Sequence, residues 1–127
     1  MITLDITLYG IVHCDTVKKA RAWLTAQGLE HHFHDFKRHG VPAERLAAWM
    51  ADAGWDKLVN RQGTTWRKLD AATRAAVHDA ASASTLLQAY ASAIKRPVVE
   101  WRRGASTRTT VGFDAALWAQ LLQDAAD

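Results

Sequence analysis

The chain has 127 residues, a net charge of +3, 49% hydrophobic and 23% charged residues, and one cysteine. That length suits one globular domain with a core of its own, and the composition excludes a disordered or fibrous chain. Its basic residues are dispersed rather than clustered, which speaks against nucleic acid and leaves room for a small anionic ligand. No stretch approaches the ~18 apolar residues of a membrane span. Met1-Ile2-Thr3-Leu4-Asp5 lacks the basic and apolar regions of a secretory leader. With a single cysteine, a reducing cytoplasm is the expectation.

Ile2, Leu4, Ile6 and Leu8 alternate with Thr3, Asp5, Thr7 and Tyr9, which predicts a strand. From Cys14 to Gln27, Val17, Ala20 and Leu24 carry helical spacing, and Gly28 is a stop signal. Leu29 to Phe36 reads as a second strand, so the opening is a right-handed βαβ unit. Pro42 suits a first helical position, followed by an apolar face of Leu46, Trp49, Met50 and Ala53 and a stop at Gly54. The segment from Asp56 to Leu69 is irregular. Asp70 is a cap for a helix through about His78, and Ser84 for another through Ala91. Pro97 then precedes a strand, Val98 to Trp101. A turn at Arg103 to Ser106 leads to a returning strand, Thr107 to Val111. Asp114 caps a last helix with Leu117, Trp118, Leu121 and Leu122 on one face. The order βαβ, helices, ββα matches an α/β thioredoxin-like fold with a mixed four-stranded sheet. It would be one domain over residues 1–127, with a helical insertion at about 42–92.

Cys14 falls where the first strand gives way to the first helix. A thiol there meets unpaired backbone N–H groups and the positive end of the helix dipole, and both favour the thiolate, the reactive form. Asp15 opposes this and Lys18, one turn on, offsets it. His13 is placed to support the thiolate or move a proton. With no second cysteine, the chain has no internal disulfide partner, and any redox partner thiol comes from outside. His31, His32, His34 and His39 have the look of a metal cluster. On a strand only His32 and His34 share a face, so an exposed edge strand is the better reading, and no metal is expected.

The segments Tyr9-Gly10-Ile11-Val12-His13-Cys14-Asp15-Thr16-Val17-Lys18-Lys19-Ala20-Arg21-Ala22-Trp23-Leu24, Gly63-Thr64-Thr65-Trp66-Arg67-Lys68-Leu69 and Ile94-Lys95-Arg96-Pro97 resemble the ArsC/Spx family, particularly its YffB-like branch. The resemblance runs from about Ile6 to Leu122. It implies a thioredoxin-like fold with a cis-proline at Pro97, whose preceding backbone binds substrate. It implies Cys14 as nucleophile, no bound cofactor, and glutathione as co-substrate, in glutathione-dependent thiol–disulfide chemistry. Arg96 and Pro97, with Arg61, Lys18 and His13, would form the glutathione or substrate site. Arsenate reductases of the family couple to glutaredoxin and hold the oxyanion with three arginines. Arg96 matches one and Arg61 lies near a second. The third position falls near Gly112, with Arg108 nearby on the strand, and a histidine of those reductases is replaced by Gly10. Spx-type regulators bind RNA polymerase and carry a CxxC switch; Val17 stands at its second cysteine. The resemblance therefore orders the readings as thiol–disulfide reductase, then arsenate reductase with an incomplete oxyanion site, then regulator without turnover.

Overall fold

The computed structural model describes residues 3–126. Its elements are β1 (Leu4–Gly10), α1 (Asp15–Ala26), β2 (His32–Asp35), α2 (Phe36–His39), α3 (Ala43–Ala53), α4 (Trp55–Leu58), α5 (Thr64–Lys68), α6 (Ala71–Ala75), α7 (Ala80–Ala89), a 3-10 turn (Ala91–Ala93), β3 (Val98–Arg103), β4 (Ser106–Val111) and α8 (Ala115–Ala126). The sheet order is β2-β1-β3-β4. β1 and β2 are parallel, and the pairs β1–β3 and β3–β4 are antiparallel. The mixed four-stranded sheet and the thioredoxin-like architecture are those expected.

Alternation along the central strands sorts their side chains between two cores. Ile6, Leu8, Val99 and Trp101 join Val17, Ala20, Leu24 and Trp118 on the α1/α8 face. Tyr9 and Val98 join Leu46, Trp49, Leu58, Trp66, Leu86 and Leu87 on the face covered by the helices between β2 and β3. Both faces therefore carry a core, although Asp5 at the far end of β1 stays exposed and Thr7 is half-buried, in keeping with the polar face that β1 shows in sequence.

Several boundaries differ from those expected, each for a local reason. Ile2 lies outside the described residues. β2 begins only at His32, because Leu29 N–H still closes on Leu24 O at 3.0 Å. It ends at Asp35, whose carboxylate accepts from Lys37 N–H at 3.0 Å and starts α2. α6 stops at Ala75, short of His78. The cap of α7 is Asp79, not Ser84, since Asp79 and Ser82 exchange side-chain and backbone bonds in a capping box. Ser84 sits inside that helix. The hairpin is tighter than expected. Arg103 pairs with Ser106 across the two residues Gly104 and Ala105, and Gly104 takes φ +58°.

Candidate functional site

The site lies at the end of the sheet where β1 hands over to α1. Gly10 is needed there: a Cβ at this position would meet Val17 Cγ2 at 2.7 Å, so the first turn of α1 packs directly on the end of β1. Cys14 is the N-cap residue of α1, in extended conformation at φ −121° and ψ 120°. It is half-buried and touches both cores, one from each side of the sheet.

The thiol itself makes no cap hydrogen bond of ordinary geometry. Burial pushes its pKa up. The Val17 N–H, the Arg96 guanidinium and the Thr16 N–H act against burial and prevail, so the pKa lies below the usual thiol value. The helix-start argument made from sequence thus identifies part of the cause, and the arginine supplies the rest.

Arg96 reaches this position because its chain segment is held at both ends. Before it, the bridge between Val59 and Ile94 ties the incoming chain to the helical block, with Asn60 N–H on Ala93 O and Lys95 N–H on Leu58 O, each at 2.8 Å. After it, Val98 pairs with both Tyr9 and Val111. The Arg96–Pro97 peptide is cis. One amino group of Arg96 donates to Ser92 O at 2.8 Å and Ile94 O at 3.0 Å. Its Nε is buried without a partner among the described residues. Arg96 is thus both a brace for the loop and a cation acting on Cys14.

The other sequence-predicted residues are placed differently. His13 is exposed in the turn before Cys14. Lys18 is exposed one turn along α1, its N–H on Cys14 O at 2.9 Å, and it lines a recess with Val12, Arg21 and His31. Arg61 is turned to its own loop. It pairs with Asp56 at 2.8 Å, and its guanidinium carbon lies 5.5 Å from the Trp66 ring centroid. The histidines scatter. His31 accepts from Arg21 Nε at 3.1 Å, and burial and then Arg21 push its pKa down. His32 lies 3.2 Å from Asp5, and His34 lies 2.8 Å from Gly40 O. Among the described residues no group of three or more His, Cys, Asp or Glu is placed to hold a metal ion. No helix among them is long and apolar enough to cross a membrane.

Sequence reasoning missed one polar cluster next to the site. Glu100, on β3 and buried, accepts from Tyr9 Oη at 2.8 Å, Arg45 Nε at 2.7 Å and Trp49 Nε1 at 2.9 Å. Burial, then the bond to Glu100, pushes the Tyr9 phenol pKa well above its usual value. The cluster ties α3 to β1 and β3. A lone glutamate among Val98, Val99 and Trp101 was the available signal, and it reads equally as a solvent-facing strand position.

Comparison with known proteins places this geometry. The chain is 46% identical to a solved protein named YffB, over 91% of this chain and 96% of that one, with a TM-score of 0.82. It is 44% identical to an arsenate reductase (ArsC) related protein from Brucella melitensis, over 91% and 92% of the two chains, with a TM-score of 0.68. It is 42% identical over 94 residues to an uncharacterized protein of Haemophilus influenzae, covering 74% of this chain and 82% of the relative. The ArsC family pattern matches residues 9–121. With a lone thiol at a helix start, a cis-proline beside it and a match across nearly its whole length, the chain belongs to the ArsC family.

Proposed function

We propose that the protein is a glutathione-dependent thiol–disulfide reductase that works through Cys14 alone. The observation that carries this reading is the Cys14 thiol, half-buried at an open helix start, with its pKa lowered by Val17 N–H, Arg96 and Thr16 N–H against the effect of burial. The thiolate attacks one sulfur of a disulfide. A Cys14–sulfur bond forms, the original S–S bond breaks, and the leaving thiolate takes a proton from water. Where the retained half is glutathione, a second glutathione thiolate attacks it, releasing oxidised glutathione and restoring the Cys14 thiolate. Over the cycle one glutathione thiol is consumed, the substrate half of the mixed disulfide leaves as a thiol, and the two glutathione sulfurs leave together as oxidised glutathione. Arg96 holds the Cys14 thiolate, and the backbone ahead of Pro97 holds the ligand main chain. Lys18 and His13, both exposed, are free to meet the ligand from solvent. Arg61, paired with Asp56, would have to leave that partner to join them.

The test is mass spectrometry after treatment with oxidised glutathione, followed by turnover of a small disulfide with reduced glutathione. A single adduct on Cys14, absent in Cys14→Ser, and steady turnover are expected. A Cys14 that forms no adduct would sink the reading. The Brucella relative supports a second reading, arsenate reduction coupled to glutaredoxin. Against it stands Gly112, which offers no side chain to an oxyanion, so arsenate turnover is expected to be weak. If the adduct forms but no disulfide or arsenate turns over, a regulator that binds RNA polymerase is the remaining candidate.

A further inference from the structure

We propose that Lys95 is the carboxylate-binding subsite of the Cys14 centre, carried over Gly112 to meet the anionic end of a small thiol or disulfide ligand. The proposal rests on the thiol-exchange reading above and adds the residue that selects the ligand. A Cβ built on Gly112 would lie 3.4 Å from Lys95 Cε, so the end of the lysine stem rests over the open Cα face of Gly112. Gly112 has φ +86°, which disfavours any side chain there, and its N–H donates to Pro97 O at 2.8 Å. The lysine backbone is pinned by its own bond to Leu58 O. What is fixed is therefore the start of the side chain and the surface beneath its end.

Two further observations make this ammonium a ligand group rather than a structural one. Lys95 is exposed and forms no ion pair among the described residues. Glu100, the carboxylate nearest in sequence, is buried and bonded to Tyr9, Arg45 and Trp49, and Asp114, two residues after Gly112, accepts the N–H of Leu117 at 3.1 Å. Meanwhile Arg96 turns the other way, into Ser92 O and Ile94 O beside Cys14. Adjacent residues thus send two cations in two directions from one loop. One acts at the reacting sulfur. The other stands over Gly112, at the sheet end shared with Pro97 and Cys14. A ligand with a sulfur and a carboxylate separated by a few bonds matches that arrangement; a neutral thiol uses only half of it.

The experiment compares the second-order rate of Cys14 with oxidised glutathione, which carries carboxylates, and with bis(2-hydroxyethyl) disulfide, which carries none. Lys95→Met should slow the first reaction by about two- to fivefold, the size of one exposed charge pair, and leave the second unchanged. Lys95→Arg should restore the first. Added salt should erase the difference between wild type and Lys95→Met. Equal rates with oxidised glutathione in wild type and Lys95→Met would overturn the subsite while leaving the reductase reading intact. A parallel loss with both disulfides would also overturn it, because the lysine would then act on the thiol rather than the ligand. Wild-type protein inert to both disulfides would remove the reductase reading and the subsite together.

Discussion

On the α1/α8 face of the sheet, the buried Trp118 packs edge-on against Trp23, Trp101 and Phe113, with ring centroids 4.9–5.8 Å apart. On the opposite face, the aromatic rings of Tyr9 and Trp49 are tied to Glu100, and Arg45 closes the set from the half-exposed side of α3. The first face is held by area and shape, which tolerate repacking. The second adds to its apolar core a set of directed bonds to one buried carboxylate, which tolerate nothing that leaves a partner unpaired. Cys14 touches both cores, so its position depends on two different kinds of packing at once.

Glu100→Ala is the largest expected break in that comparison. It strands the Tyr9 hydroxyl and the Trp49 indole N–H in the core, each buried unsatisfied donor costing about 1–3 kcal/mol, while the half-exposed Arg45 guanidinium is left to water. Denaturant melts should show the loss, and hydrogen exchange should rise in α3 ahead of α1. A loss below about 1 kcal/mol would mean that α3 is held by its apolar face alone.

Arg96→Ala comes next and acts at the seam. The carbonyls of Ser92 and Ile94 lose a charged donor, at a cost of about 1–3 kcal/mol. From sequence this arginine reads as a ligand group with little structural role; the carbonyl bonds give it one. The same change should raise the Cys14 pKa. Because the folded thiol has a depressed pKa, its ionisation contributes stability that is full above the free-thiol value of ~8.5. That stability is lost as pH falls through the folded value. In wild type, alkylation rate against pH should inflect below ~8.5, and in Arg96→Ala the inflection should move toward it. An unmoved inflection would show that Val17 N–H and Thr16 N–H alone set the thiolate.

Trp118→Phe probes the other face more gently. The indole N–H of Trp118 is buried with no partner among the described residues. Phenylalanine removes that orphan donor while leaving a modest void, so the net loss should stay under ~1.5 kcal/mol. A loss of the size expected for Glu100→Ala would make the two faces equally intolerant and end the contrast.

What the sequence made legible follows the same division. β1, α1, the hairpin and α8 are local patterns: alternation, helical spacing, Gly104 at a tight turn, Asp114 as cap. Each is decided by residues within about one element of each other. The position of Cys14 belongs here too, since a helix start is a local feature. The Glu100 cluster joins residues 91, 51 and 55 positions apart, and no periodicity encodes such a meeting. The α6 helix was legible through its Asp70 cap, but α4 and α5 were not, for a different reason. They are about one turn long, too short to show an apolar stripe, and are set by anchors such as Leu58 and Trp66 entering the core. Arg96 was legible as a site residue through resemblance alone; its bonds to Ser92 O and Ile94 O depend on how the loop folds back.

Arg61→Ala is the smallest expected effect and the sharpest control. Arg61 pairs with Asp56, both substantially exposed, and leans on Trp66. An exposed pair of this kind contributes about 0–1 kcal/mol, so melting should scarcely change. The groups that lower the Cys14 pKa are Val17 N–H, Arg96 and Thr16 N–H, so the alkylation profile should overlay that of wild type. The rate with oxidised glutathione should also hold, while Lys95→Met lowers it. If Arg61→Ala instead slows glutathione adduct formation with no change in the thiol inflection, the guanidinium leaves Asp56 when ligand arrives. The helical block would then contribute a moving cation to the site, in addition to the fixed one at Arg96.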